Sequence, residues 1–376
     1  MEVWLGAQDP DGPGLVQRGA IAYVRPPEAT LLMFPRGMTF DDVLLVPGYN
    51  GIRSRQAVNT EVALGPYMLK IPVLSANMDT ITGPAMAAAM AELGGMGILH
   101  RFLSIEDNVA SFRSARAHGP VGVSIGVTGD SMERAEALVA AGADVICVDV
   151  AHGHSKLVNR MIRALRDRFG DGLCIIAGNV ATYAGADYLA AAGADIIKVG
   201  IGPGSVCTTR IKTGCGVPQL TAILDCRKVD RPLIADGGIR TPGDAVKALA
   251  AGASYVMIGG MLAGTEETPG EVMVRQTPQG EQRVKVFRGM ASREAQEDFM
   301  GAMADWKTAE GIAIEVPVRG SVAEVVADLM GGIRSGMTYC GATDIKSLQR
   351  KAQFMEISNA SLLEGMPHAL GRITAK

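Results

Sequence analysis

The sequence predicts an α/β chain folded as a (β/α)8 TIM barrel with a C-terminal flap and helical elaborations. Eight short apolar, β-branched runs recur along it, at Ile71–Asn77, Met96–His100, Val121–Val127, Val145–Asp149, Cys174–Val180, Ile196–Ile201, Pro232–Asp236 and Tyr255–Ile258. Between them lie Ala/Leu-rich stretches of helical pattern, such as Pro84–Leu93, Ser131–Ala141, Ser155–Arg168, Tyr183–Ala192 and Pro242–Ala251. Continuous apolar strands alternating with helices belong to a parallel sheet buried on both faces. Eight such units without a reversal favour a closed barrel over an open sheet.

Residues 1–36 are rich in Gly and Pro and show no sustained periodicity. They read as a loosely ordered N-terminal extension, leaving 37–376 as a single barrel domain. The connection near His118–Pro120 is too short to carry an inserted domain. The tags AAGAD (140–144 and 191–195) and AAGAS (250–254) close three helices, each offering a glycine for a left-handed cap just before the next strand. Beyond the eighth run, the Gly/Gln/Pro-rich stretch Thr277–Gln282 reads as a hairpin or flap. Val322–Met330 and Thr343–Lys351 read as helices added to the barrel rather than as a second domain.

Composition narrows the function classes. A 48% hydrophobic share supplies a large core, and with only 5% aromatics small aliphatic residues must fill it. A net charge of −3 gives no reason to expect nucleic acid or an anionic membrane as a partner. An anionic small ligand would have to be held by backbone amides and helix ends. The six cysteines contain no C-x-x-C pair and read as reduced thiols, five of them small buried groups. With no signal peptide and no charge-free apolar run of 18 residues, the expected location is cytoplasmic.

In this fold the chemistry sits at the carboxyl ends of the strands. Asp149 ends the fourth strand and Asn179 the fifth. The sixth runs into Gly200-Ile-Gly-Pro-Gly-Ser-Val-Cys-Thr-Thr-Arg210, and the seventh ends Asp236-Gly237-Gly238. Gly259 and Gly260 follow the eighth. The two glycine pairs occupy the fold's usual phosphate position, where bare amides hold the anion; the plainer reading is turn glycines. The glycines at 200–204 match a dinucleotide fingerprint poorly, because the third is misplaced and no helix follows directly. A mobile loop carrying an exposed cysteine suits a nucleophile better, since a thiolate both attacks and leaves readily. Thr208 and Thr209 either cap the following turn or relay a proton beside the thiol. Carbonyls of Gly202, Gly204 and Cys207 are candidate ligands for a monovalent cation, which spacing alone leaves open.

The run Lys198–Arg210, followed by Lys212-Thr-Gly and Pro218-Gln-Leu, closely resembles the family of IMP dehydrogenases and GMP reductases. The resemblance extends from Met38–Leu45 through Ser75–Thr80, Ala235–Gly238 and Arg288–Met290 to Gly331–Ser335, roughly 38 to 350. It implies a purine 5′-monophosphate substrate whose C2 is attacked by Cys207 to give a covalent thioimidate. Dehydrogenases carry an Arg-Tyr pair on the flap to activate the hydrolytic water. No Arg-Tyr follows Met290 here, and Trp306–Gly311 with Ile314–Pro317 is similar to the reductase pattern.

The resemblance therefore implies NADPH-dependent reductive deamination of GMP, or of a close guanine-like nucleotide such as a deazaguanine nucleotide, to IMP. Cys207 would be the nucleophile, with Thr209 and Glu310 protonating the departing ammonia. Ser205, Asp236, Gly237, Gly238, Gly259, Gly260, Gly289, Met290 and Ala291 would hold the nucleotide. Asp149, Val150, Ala151, Ile201, Gly202, Met290, Trp306 and Lys307 would line the dinucleotide site, with Arg101 at a further position. Ser54, Arg55, Ser335, Gly336, Met337 and Thr338 would approach it from a neighbouring subunit of a homotetramer. Gly202, Gly204, Cys207 and Arg210 match a potassium loop.

Three features depart from typical reductases: Gly94–Arg101 looks like the dehydrogenase version, Lys307 stands where many reductases have arginine, and 1–36 is unmatched. The alternatives are an IMP dehydrogenase without the paired regulatory modules, oxidising IMP with NAD, and a non-catalytic purine nucleotide sensor. The sensor would be expected to have lost Cys207, Thr209 or Glu310, and all three are present.

Overall fold

The eight apolar runs close into a parallel barrel in chain order, the last run pairing with the first. In this computed structural model, which describes residues 34–278, 280–301 and 306–367, the strands are β1 (Val73–Ser75), β2 (Met96–Leu99), β3 (Val121–Ile125), β4 (Val145–Asp149), β5 (Cys174–Val180), β6 (Ile196–Val199), β7 (Leu233–Asp236) and β8 (Tyr255–Ile258). Several are shorter than the apolar runs that announced them, because the run ends turn into loop at the barrel rims. The helices α1 (Pro84–Glu92), α2 (Ile105–Arg116), α3 (Ser131–Ala140), α4 (Lys156–Phe169), α5 (Tyr183–Ala192), the short α6 (Thr209–Thr213), α7 (Gln219–Cys226) and α8 (Pro242–Ala251) follow their strands in turn. The expected extension 1–36 lies outside the described residues but for its last three; by its contacts Gly37–Lys376 forms one unit.

Alternation along each strand divides the core in two. Met96 and Ile98, Val145 and Cys147, Cys174 and Ile176, Ile234, Tyr255 and Met257 fill the lumen. Ile146 and Val148, Ile175 and Ala177, Ile197 and Val199 face the helices instead. A hairpin that periodicity did not announce, Val62–Leu64 with Tyr67–Leu69, plugs the amino-terminal end with Leu64 and Leu69. It is pinned by the Tyr255 hydroxyl donating to the Ala63 carbonyl and the Tyr67 hydroxyl donating to Asp144.

The helix-ending tags behave as their sequence implies: Gly142, Gly193 and Gly252 have φ of +101°, +112° and +127°. Thr241 caps α8 through a reciprocal box with Asp244, a device worth about 0.5–2 kcal/mol. The connection from α2 to β3 is Ala117–Pro120.

After β8 the chain builds a three-stranded antiparallel sheet from β9 (Met273–Thr277), β10 (Gly280–Arg288) and β11 (Ala313–Pro317). The short helix α9 (Arg293–Met300) sits between its last two strands. The helix expected at 322–330 runs on as α10 (Val322–Tyr339) and packs on both α8 and α1. It fills the eighth helical place of the barrel, so the flap is an insertion between β8 and its own helix. The helix expected from Thr343 begins at Ile345 as α11 (Ile345–Lys351), capped by Asp344. Among the described residues no helix is long and apolar enough to cross a membrane.

Candidate active site

Strand register puts three ionisable side chains in one layer at the barrel mouth. Asp149 pairs with Gly178 and Gly178 with Lys198 across β4, β5 and β6, while Lys198 pairs with Ile234 of β7, two residues before Asp236. Lys198 is only 3% exposed, and its ammonium donates to Asp149 Oδ1 at 2.8 Å and Asp236 Oδ2 at 2.7 Å. A side chain on Gly178 would meet Lys198 Cβ at 2.7 Å, so the glycine makes room for the lysine. Asn179 Nδ2 also donates to Asp236 Oδ2 (2.9 Å) and to the Gly200 carbonyl (2.7 Å).

Burial alone would raise the pKa of Asp149, but Lys198, with help from Arg101 and Asn77, brings it below the usual carboxylate range. Burial likewise opposes the charge on Lys198, and the two carboxylates more than reverse that, holding its pKa above the ordinary lysine value. Lys198 was missed in reading the sequence, although a lysine inside Ile196–Val199 was the signal: a charge in an apolar strand requires buried partners.

The loop after β6 turns tightly, the Cys207 amide donating to the Gly204 carbonyl at 3.1 Å. Cys207 is half-buried, with its Sγ 3.2 Å from Thr209 Oγ1. Burial pushes up the pKa of the thiols of Cys147, Cys174, Cys226 and Cys340, for Cys174 to about 12, so these four stay protonated. The fifth, Cys215, was expected to be buried and is exposed, because it lies in the loop beyond α6 rather than in a strand. Thr208 does not cap α6 through its side chain; its Oγ1 is buried without a protein partner, and its amide is engaged by the flap.

That engagement forms a small ladder. Thr208 N donates to Glu310 O (2.9 Å), Ile312 N to Val206 O (3.0 Å), Glu310 N to Ala291 O (3.0 Å) and Gly289 N to Ile312 O (3.1 Å). Gly311 bridges both Cys207 and Ser292. The structure thus brings together Cys207, Thr209, Glu310 and Gly289–Ala291. The last is secured to the barrel by Asp79 N donating to Met290 Sδ (3.2 Å) and by the Arg288–Asp79 ion pair (2.5 Å), neither of which the sequence reading picked out.

Gly237 and Gly238 turn at φ of +88° and +78°, beside Pro203 and Gly204. Gly260 faces Ser205, whose Oγ would lie 3.0 Å from an added Cβ, and Gly259 faces Met78. The phosphate candidates from the loops after β6 and β8 therefore adjoin.

Among the expected dinucleotide residues, Val150 is held to β5 through Gly178 O and Asn179 N, with exposed Ala151 after it. Ile201 and Gly202 are half-buried. The Arg101 guanidinium lies 4.6 Å above the Phe102 ring, and its Nε is buried without a partner. Trp306 is 82% exposed, with the Lys307 ammonium 5.3 Å from its ring centroid. Ser54 and Arg55 start a 3-10 helix that packs on α10, the helix bearing Ser335–Thr338. Two of that second set are committed to packing: Met337 is fully buried, and Gly336 fits against Val246. An outer helix must bury one face on the barrel, so their side-chain positions are closed to a ligand.

Residues 37–368 match the family described as IMP dehydrogenase / GMP reductase domain. The chain belongs to that family. Among curated relatives, inosine-5′-monophosphate dehydrogenase of Nitrosopumilus maritimus is 35% identical, over 89% of this chain and 98% of the relative. GMP reductase of Leishmania donovani is 33% identical, over 92% and 99%. The alignment with the Nitrosopumilus protein runs over 475 positions against the 376 residues here, so that relative holds residues without a counterpart in this chain. Among solved structures, inosine 5′-monophosphate dehydrogenase from Legionella pneumophila is 57% identical at TM-score 0.78, covering 86% of this chain and 99% of that one. A cysteine-to-alanine GMP reductase from Trypanosoma brucei, in complex with guanosine 5′-monophosphate, is 33% identical at TM-score 0.84, covering 90% and 99%. This family member is thus an oxidoreductase of purine metabolism, and its family uses a nicotinamide cofactor.

Proposed function

We propose that this protein carries out NADPH-dependent reductive deamination of GMP, or of a closely similar guanine-like nucleotide, to IMP and ammonia. The supporting observation is the ladder that ties Glu310 and Gly311 to Cys207 and Thr208, in a flap without an Arg-Tyr pair after Met290. The Cys207 thiolate adds to C2 of the base. The exocyclic amino group leaves as ammonia once protonated, Thr209 and Glu310 carrying the proton, and a thioimidate remains. Acid assistance matters here because an unprotonated amide ion is a very poor leaving group. A dinucleotide held against Asp149–Ala151 and Ile201–Gly202 would supply the hydride that C2 requires, and departure of the Cys207 thiolate would then complete IMP.

Asp236 serves as acceptor for a ribose hydroxyl, beside the phosphate amides of Gly237, Gly238, Gly259 and Gly260 and the hydroxyl of Ser205. Lys198 and Asn179, both donating to Asp236 Oδ2, orient it for that role. The dinucleotide fits against Asp149–Ala151, Ile201–Gly202, Trp306–Lys307 and Arg101; the partnerless Arg101 Nε and the open Trp306 face support the fit. Potassium fits the Gly202–Cys207 turn, with Arg210 beside it, a reading supported by the orphaned Thr208 Oγ1 next to that turn. Residues 1–36 serve as an extension to a single catalytic domain of 37–376, working in the cytoplasm as a homotetramer.

One observation favours a second reading. The 57% identity with a protein named as a dehydrogenase, with the dehydrogenase-like Gly94–Arg101, points to NAD-dependent oxidation of IMP. Incubation with GMP plus NADPH, and separately with IMP plus NAD, followed by nicotinamide absorbance, decides between them. Turnover of the second pair alone overturns the reductase assignment.

A further inference from the structure

Two neighbouring side chains of α9, Asp298 and Phe299, grip the barrel. Arg288 donates through Nε to Asp79 Oδ2 (2.9 Å) and through Nη1 to Asp298 Oδ2 on α9 (2.6 Å). The next residue of the helix, Phe299, stands edge-on to Phe102, with centroids 5.1 Å apart and planes at 75°. The Phe102 amide donates to His100 Nδ1 (3.2 Å), which leaves Nε2 as the donor of the neutral ring. His100 and Phe102 in turn belong to the loop after β2, so α9 is held to the barrel at two separate points.

The Arg101 guanidinium lies over the same Phe102 ring that Phe299 meets edge-on. At its opposite end α9 begins from Ser292, which caps the helix by accepting from Ala295 N (3.2 Å) and bridges Gly311, the neighbour of Glu310. A single short helix is therefore fastened at one end to the segment bearing Glu310 and at the other to the ring beneath Arg101.

We infer that Phe102 and Phe299 are positioning residues, coupling a dinucleotide held at Arg101 to the placement of Glu310 beside Cys207. The inference rests on the roles proposed above for Arg101 and Glu310. A ligand group that engages the partnerless Nε draws the cation across the Phe102 ring, and Phe299 transmits the ring's new position along α9. The route borders the nucleotide segment where Ala291 O accepts from Glu310 N, so nucleotide affinity is read beside the dinucleotide effect.

The test compares Phe299→Leu, which removes the ring, with Phe299→Tyr, which keeps it, in the full-length protein. Phe299→Leu is expected to raise the dinucleotide KM and lower kcat, each by about two- to tenfold, the range of one aromatic or cation–π contact. The nucleotide Kd stays unchanged, and Phe299→Tyr behaves as wild type. A Phe102→Leu/Phe299→Leu double variant is no worse than its worse single, because both remove one joint. Additive losses, an equal loss of nucleotide affinity, or no rescue by Tyr overturns the inference. The cycle is run with whichever pair the protein turns over, so failure of the joint is read apart from failure of the reaction assignment. Hydrogen exchange at 308–312 gives a second readout. Dinucleotide-induced protection is expected in wild type and Phe299→Tyr and lost in Phe299→Leu, and equal protection in all three sinks the idea. Should Phe299→Leu not fold, Asp298→Asn, at a carboxylate 68% exposed, loosens the other grip and is expected to give the same split.

Discussion

The amide of Thr208 donates to the carbonyl of Glu310 across 2.9 Å, joining the loop after the sixth barrel strand to the far side of the flap. Because the contact is between main chains, substituting the Glu310 side chain leaves the ladder in place. Chemistry and architecture at this position can therefore be separated by mutation.

Glu310→Gln is expected to lower kcat by about 10²- to 10⁴-fold, the usual share of a positioned proton donor, with nucleotide affinity little changed. Thr209→Val, which removes the hydroxyl 3.2 Å from Cys207 Sγ, is expected to fall in the same range. Steady-state rates and nucleotide titrations measure both. An unchanged rate in Glu310→Gln would remove this residue from the chemistry.

Cys207→Ala is expected to reduce turnover by roughly 10⁴- to 10⁶-fold, as loss of a covalent nucleophile does. It should still bind the purine nucleotide, which calorimetry reads directly. The exposed Cys215 supplies the control: Cys215→Ala should keep wild-type turnover, because that thiol is engaged in none of the ladder contacts.

Lys198→Met strands Asp149 and Asp236 without their cation, at a cost of about 3–5 kcal/mol at neutral pH. Asp149 has a lowered folded pKa, so its stabilisation is present above about pH 4 and lost as pH falls through the depressed folded value. Lys198 has a raised one, so its contribution is whole below about pH 10.4 and lost only as pH rises through the folded value. Thermal melts should therefore show the variant well below wild type at pH 7. The gap should narrow on acidification, as protonation neutralises the stranded Asp149; a constant gap would contradict the assignment.

Gly200 has φ of +149°, and an added Cβ would sit 2.0 Å from the Asp236 carbonyl oxygen. Gly200→Ala is expected to destabilise the protein by more than about 1 kcal/mol. It should also weaken nucleotide binding by displacing Asp236, visible as a lower melting temperature together with a raised Kd.

Much of the fold was legible because backbone patterning is local. A run such as Val145–Val148 is apolar on both faces, and only a strand between helices and a filled lumen satisfies that. The Cys207 loop was legible for a similar reason, its glycines and cysteine standing consecutively. The lumen plug at Val62–Leu69 was not, since its strands are too short to carry a period. The helix expected at 322–330 stopped short of Gly331, Gly332 and Gly336; α10 runs on through them because α8 packs against two of them at Pro242 and Val246.

By itself the sequence determined the strand and helix succession, the loop that carries Cys207 and the family, because each depends on residues close together in the chain. Tertiary structure alone decided that Lys198 joins Asp149 to Asp236, that Arg288 ties Asp79 to α9, and that Glu310 lies beside Thr208. Those pairings arise from strand register around a closed barrel and from the return of the flap over its mouth. Both bring together residues far apart in sequence, which no local pattern encodes.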